Sequence, residues 1–214
     1  DADGQAACQR QREGLKKIAA ERIWKELKRT LAAPDPSSAL AAMEEAGVLE
    51  VLLPGAEAGT LPGLVAVEAA HTLAPDPMRR LMALLPRRQR DTSAAAHMLR
   101  LSNDEASRLN AWADPALGHV LGLDEAARAE LFYRFTPEAA LDRALLEAAA
   151  GGTGAEAVLA EASAWQRPNF PIGGDDALAA GLKGPAIGEC LRALEEDWIR
   201  SGFRLTRQEL LAAL

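Results

Sequence analysis

The stretch APDPSSALAAMEEAG, residues 33 to 47, reads as one helix with its start and stop signals attached. Asp35 can cap the start, Pro36 suits the first helical position, where no N–H is needed, and Gly47 can end the helix in a left-handed turn. The same signals recur along the chain. Ser102 with Glu105, and Thr206 with Glu209, have capping-box spacing. Asp76 and Pro77 open MRRLMALL, and Thr136 and Pro137 open PEAALDRALLEAAAG, which Gly151 can close. Apolar residues take helical spacing at Ile23, Leu27 and Leu31, and again at Leu141, Leu145 and Ala148. No segment alternates as a strand would. These features predict an all-α fold of about ten short to medium helices in an elongated array, without a sheet.

Composition points the same way. Of 214 residues, 49% are hydrophobic but only 4% aromatic, and Ala and Leu outweigh the β-branched types that favour strands. Cys8 and Cys190 lie far apart in no metal-ligand spacing, which predicts a reduced, cytoplasmic protein. No apolar run approaches the roughly 20 residues that span a bilayer, and no signal peptide is visible, so no membrane partner is expected. The chain starts at Asp1 without an initiator methionine, as expected for a piece of something longer. No period of 20 to 50 residues repeats. PRRQRDTSAA near residue 90 and the segment from Gln166 to Pro185 look like boundaries, suggesting helical regions 1–90 and 91–214.

The net charge of −7 conceals an asymmetry. Residues 9–30 carry eight Lys and Arg against three Glu, and residues 78–101 carry six Arg against Asp91, so each segment is +5 and the rest is −17. Such a split marks either an anionic partner or cations on solvated helix faces.

A catalytic centre is not apparent. His71, His97 and His119 stand alone, with no His–Asp pair and no ligand spacing around them. Phosphate-loop, dinucleotide and serine-elbow motifs are absent. Asp1 and Asp3 have the spacing of a two-metal pair but follow no apolar strand, and Asp175 and Asp176 read as charges at a helix start. No catalytic or metal-binding residue is assigned, and no cofactor is expected in this chain.

Two segments are more specific. In GLKKIAAERIWKELKR, residues 14–29, Arg22, Glu26 and Arg29 share a helix face beside the apolar one. In the second, from Pro168 to Trp198, Pro168 and Pro171 hold the chain extended around Phe170, an anchor for the preceding helices. Gly173, Gly174, Gly181 and Gly184 permit left-handed or close backbone, and Gly188 leaves either a bare patch for a phosphate or an easy helix contact.

These blocks resemble a known family. ERIWKEL at 21–27, GVLEVLLPG at 47–55, PNFPIGGDDALAAG at 168–181 and GPAIGECLRALEEDWIRSGF at 184–203 are similar, in order and spacing, to segments of class II tRNA nucleotidyltransferases (CCA-adding enzymes) and bacterial poly(A) polymerases. The matching tail positions include Pro168, Phe170, Pro171, Gly174, Asp176, Gly181, Gly184, Gly188 and Trp198. The resemblance covers essentially the whole chain and implies the neck, body and tail that grip RNA. The catalytic head, which would use Mg²⁺ with CTP or ATP, would be a partner in cis. This chain alone would then be inactive. By the same resemblance Glu21, Arg22 and Glu26 support the nucleotide pocket from behind. Lys16, Lys17, Lys25, Lys28, Arg29, Arg87, Arg88 and Arg90 would hold a tRNA or RNA 3′ end. The choice among CCA, A-only and poly(A) addition belongs to the head, and the sequence leaves the oligomeric state open. The alternative is a helical protein-interaction module with no RNA role.

Two positions depart from the family pattern. The turn from Gly181 to Gly184 is one residue short, and Ala19 stands where the family has a capping serine. Losing such a cap costs about 0.5–2 kcal/mol. The expectation is therefore that the helix runs on upstream through REGLKKIAA.

Overall fold

A computed structural model describes residues 2–214, and among them every regular element is helical. Helix α1 (Ala2–Gln11) leads through a 3-10 turn at Arg12–Lys17 into α2 (Ala20–Leu31), α3 (Ser37–Glu45) and α4 (Val48–Leu52). Then come α5 (Leu61–Ala70), α6 (Pro77–Leu84), α7 (Gln89–Leu99) and α8 (Asn103–Ala113). After a short 3-10 turn at Pro115–Leu117 follow α9 (Glu125–Arg134), α10 (Pro137–Ala149) and α11 (Ala155–Ala164). The tail holds α12 (Gly174–Ala179), α13 (Pro185–Arg200) and α14 (Arg207–Leu211). The helices beyond the expected ten include α4, α12 and α14, each only five or six residues long.

The cap signals act where they were read. Asp76 Oδ1 accepts from Met78 and Arg79 N–H at 2.9 and 3.1 Å, Thr136 caps α10, and both capping boxes form. At α3 the helix begins one residue later than the pattern suggested. Pro36 precedes it, and Asp35 Oδ1 accepts from Ser37 N–H at 2.9 Å. Gly47, at φ +68°, ends α3 and precedes α4.

The upstream extension of α2 does not form. The 3-10 turn closes with Ile18 N–H donating to Leu15 O at 3.0 Å, then Ile18 and Ala19 are extended and α2 starts at Ala20 without a side-chain cap. Gly14 disfavours a continuous helix by about 1 kcal/mol, and the break lets Leu15 turn back onto the core.

Three apolar clusters follow one another along the chain. The largest joins Trp24, Leu27 and Leu31 of α2 to α4–α8 and to Leu145 and Leu146 of α10. The second gathers Val120, Phe132, Ala140, Ala144 and Val158. The third lies in the tail around Tyr133, Trp198 and Ile199. On α2 the buried row is Trp24, Leu27 and Leu31, with Ile23 only half-buried. Where α5 meets α10 the backbones nearly touch, and a Cβ on Gly63 would lie 2.5 Å from Ala149 O.

An ion-pair network runs through the interior of the first cluster. Every residue from Met78 to Leu84 is buried, Arg79 and Arg80 included. Arg79 Nε donates to Asp142 Oδ1 at 2.9 Å, and Arg80 Nε to Glu68 Oε2 at 2.8 Å. Arg80 also donates to the Leu31 carbonyl at 2.6 Å, to the Ala33 carbonyl, and to the Pro34 carbonyl at 3.1 Å. It thereby satisfies acceptors that the end of α2 leaves open. Arg108 of α8 pairs with Asp142 and Asp76. Buried charges are tolerated when each is paired and hydrogen-bonded, and here three Arg face Glu68, Asp76 and Asp142.

Candidate nucleic-acid interface

The expected contacts of the first basic segment lie on the 3-10 turn and the outer face of α2. Apolar contact of Trp24, Leu27 and Leu31 with the core sets the helix rotation, which leaves Glu21, Arg22, Lys25, Glu26, Lys28 and Arg29 exposed. Helical spacing aligns Arg22, Lys25 and Arg29 on one side. Among the described residues Lys17, Arg22, Lys25 and Arg29 are in no ion pair. Lys16 pairs with Glu13 at 2.7 Å. Lys28 donates to Glu105 Oε1 at 2.8 Å and stands over the Trp24 ring at 5.7 Å. Burial alone would raise the Glu105 carboxyl, but hydrogen bonds from Lys28 and Ser102 outweigh it and hold the group below the ordinary carboxylate range. Lys28 is thus engaged within the chain, whereas its four neighbours are available to an anion.

Arg22 and Glu26 line a hollow of about 380 Å³ between α2, α3 and α4, whose floor includes Ile23, Met43, Val48 and Leu52. Glu21 lies apart from it, 4.0 Å from Arg100.

The second basic segment divides. Arg79 and Arg80 serve the interior, so much of its positive charge never reaches the surface. Arg87 Nε donates to Trp112 O at 2.9 Å and its Nη2 to Asp114 O at 2.7 Å, tying the start of α7 to the end of α8. Burial, with the neighbouring Arg143 charge, lowers the Arg87 pKa. Arg88 and Arg90 are exposed and share Asp91, at 2.5 and 3.4 Å. The surface excess of cations therefore falls on the first segment.

In the tail, Phe170 packs its ring 5.4 Å from Trp198 of the following helix α13, not on the preceding helices alone. Trp198 contacts Tyr133 and Phe203 at 5.6 and 5.0 Å, and the Arg167 guanidinium lies 4.1 Å over Tyr133. Tyr133 Oη donates to Glu195 at 2.5 Å. Pro168 is half-buried just before this cluster, and the Pro171 carbonyl accepts from Arg207 at 2.6 Å. Asp176 pairs with the same guanidinium and accepts from Gly173 N–H at 2.9 Å. Gly181 and Gly184 use left-handed backbone, at φ +92° and +58°. Gly173 and Gly174 do not, because neither has positive φ nor a neighbour that a Cβ would meet. Gly188 is likewise open, with nothing within 4 Å of its would-be Cβ, so it does not ease a helix contact.

Sequence reasoning missed three features. Arg207 gives no local sign of its partners 31 and 36 residues earlier. The Arg108–Asp142 pair spans 34 residues. His119 is not alone, since its Nδ1 lies 3.0 Å from Glu147 Oε1, and Glu147 also accepts from Val120 and Leu121 N–H. Asp1 lies outside the described residues, and Asp3 is exposed on α1. Both cysteines are free. Among the described residues no group of three or more His, Cys, Asp or Glu is arranged to hold a metal, and no helix is long and apolar enough to cross a membrane.

Residues 1–59 match a family model described as "Probable RNA and SrmB- binding site of polymerase A". That span holds the 3-10 turn and all of α2. The chain is 28% identical over 205 residues to a mitochondrial CCA tRNA nucleotidyltransferase 1 of Danio rerio, covering 94% of this chain and 47% of that protein. It is 38% identical over 60 residues to the Mus musculus counterpart, covering 28% of this chain and 14% of that one. An uncharacterized 28 kDa protein in the petA 5′ region of Rhodospirillum rubrum is 38% identical over 104 residues, 44% of this chain and 38% of that protein. The chain spans less than half the length of the curated relatives it matches. With an all-helical fold, a polymerase A RNA-binding match on its basic start and a tRNA nucleotidyltransferase match over nearly its full length, the chain is similar to the C-terminal region of CCA-adding enzymes and poly(A) polymerases.

Proposed function

We propose that this chain grips the 3′ region of a tRNA and presents it to a nucleotidyltransferase head outside residues 1–214. The observation that carries this reading is the exposed, unpaired set Lys17, Arg22, Lys25 and Arg29 within the segment that matches the RNA-binding model. Such cations neutralise phosphates and release counterions, so they hold a backbone without reading its sequence. A tRNA is favoured over a general RNA by the match to a CCA tRNA nucleotidyltransferase over 94% of the chain.

In this reading Arg22 and Glu26 support the nucleotide site from the α2 side, and Arg88 and Arg90 extend the phosphate track. Mg²⁺ chemistry with CTP or ATP belongs to the head. No residue of this chain is assigned to hold the ion, and no step through it is placed here. The protein would work in the cytoplasm.

The test is tRNA ending at its discriminator base, titrated with this chain at low and physiological salt. Binding that weakens steeply with salt, and that a mutant with Arg22 and Arg29 reversed to Glu loses, supports the reading. Affinity unchanged by salt or by that double reversal would sink it.

A further inference from the structure

Glu105 stands at the start of α8, outside the segment that matches the RNA-binding model, and divides its carboxylate between two helices. Oε2 accepts from Ser102 N–H at 2.9 Å and from Ser102 Oγ at 3.0 Å, closing the capping box. Oε1 accepts from Lys28 Nζ at 2.8 Å and from Trp24 Nε1 at 3.3 Å. The Glu105 side chain is only 17% exposed, against 48% for Lys28, so the fold fixes the carboxylate while half of the lysine stays open to solvent.

Lys28 belongs by position to the cationic row of α2. It follows Lys25 by three residues, the spacing of neighbours on a helix surface, and Lys25 follows Arg22 by three. Among the described residues Arg22, Lys25 and Arg29 are in no ion pair, whereas Lys28 faces a carboxylate. A phosphate approaching Lys28 meets Glu105 already on the same ammonium, and a neutralised cation releases fewer counterions than a free one. The bonds from Ser102 and Trp24 keep the carboxylate from swinging aside as a surface side chain would.

We propose that Glu105 is a built-in competitor of RNA phosphate, withholding Lys28 from the grip and limiting its strength from outside the matched segment. The inference rests on the RNA reading of α2 and names a restraint on it. A grip that holds substrate and product alike gains no catalytic step from further uniform affinity, and product release limits many enzymes. One masked cation leaves the RNA freer to depart.

The test titrates this chain against fluorescein-labelled tRNA ending at its discriminator base, over a range of salt concentrations. Glu105→Gln keeps a side chain that can complete the capping box and accept from Trp24, but removes the charge. It should tighten binding at low salt and steepen the salt dependence by about one phosphate contact. Asp104→Asn removes the same charge from an exposed neighbour that, among the described residues, pairs with no cation. Its slope should change far less. Ser102→Ala breaks the box and should lower the melting temperature without altering the slope. In a Lys28→Gln background, Glu105→Gln should bring no steepening, because the cation it would release is gone. Circular dichroism melts establish that each variant is folded at the assay temperature.

An unchanged slope in Glu105→Gln, an equal gain in Asp104→Asn, or a gain that survives in the Lys28→Gln background would overturn the proposal. Any of these, with salt-dependent tRNA binding intact in the unaltered chain, leaves the RNA reading standing. Absence of salt-dependent binding in the unaltered chain removes the RNA reading and this restraint with it.

Discussion

Arg108 and Asp142 meet at two points, Nε to Oδ2 at 2.7 Å and Nη2 to Oδ1 at 2.9 Å, and so lock α8 against α10. Asp142 is fully buried and also takes the Arg79 guanidinium. Asp142→Ala leaves two inward-facing cations without this partner. It should cost about 3–5 kcal/mol, the usual result of breaking a buried pair from one side. The urea midpoint of unfolding measures it. A loss below about 1 kcal/mol would mean that water or Asp76 replaces the missing carboxylate.

Acid should weaken the same region. Burial alone would raise the Asp76 carboxyl, but Arg108, the helix-start N–H groups and Arg79 outweigh it and hold the group below its ordinary 3.8. A depressed folded-state value contributes stability above pH 3.8 that is lost as pH falls through the lower folded value. Unfolding free energy should therefore decline below about pH 4. Asp76→Asn retains a helix cap but removes the ionisation, so its pH profile should be flatter there.

Two glycines should respond oppositely to alanine. At Gly63 the new methyl would sit 2.5 Å from Ala149 O, and separating α5 from α10 should cost about 1–3 kcal/mol. At Gly188, inside α13 with open space around it, alanine should stabilise by about 0.5–1 kcal/mol. Thermal melts of the two variants provide the comparison. If Gly188 serves as a bare patch for RNA, the same substitution weakens tRNA binding while raising the melting temperature.

Charge reversal should separate two kinds of arginine. Arg22→Glu should leave the melting temperature nearly unchanged and lower the salt dependence of tRNA binding by about one phosphate contact. Arg87→Glu should destabilise the fold, because Arg87 bonds the Trp112 and Asp114 carbonyls. Weakened tRNA binding by Arg87→Glu would then accompany a lower melting temperature. Parallel binding and melting measurements distinguish the two effects.

The helix starts were legible because their chemistry is local. Ser102 and Glu105, or Thr206 and Glu209, find each other within three residues. The interior ion pairs were not, because apart from Asp76 the carboxylate partners of Arg79 and Arg80 lie 11 to 63 residues away, and two adjacent arginines look like surface charge until those partners are placed. The break before α2 was misread for a related reason. Ala19 offers no cap, so local rules favoured a longer helix, yet Leu15 gains more by folding back onto the core. In the candidate site, helical spacing placed Arg22, Glu26 and Arg29 on one face of α2, whereas the engagement of Lys28 depends on Glu105, 77 residues on. Arg87 looked equivalent to Arg88 and Arg90 in sequence, and only its carbonyl partners distinguish it.

Arg80 gives α2 an unequal mounting. The far end of the helix is bolted to the interior through the Leu31, Ala33 and Pro34 carbonyls, while its near end begins at an uncapped alanine after two extended residues. Such a helix is a beam clamped hardest at one end and bedded on the core along its length. A load applied near Arg22 is met first by the core packing of Trp24 and Leu27 and by the Glu105 contacts, and last by the Arg80 clamp beyond Leu31.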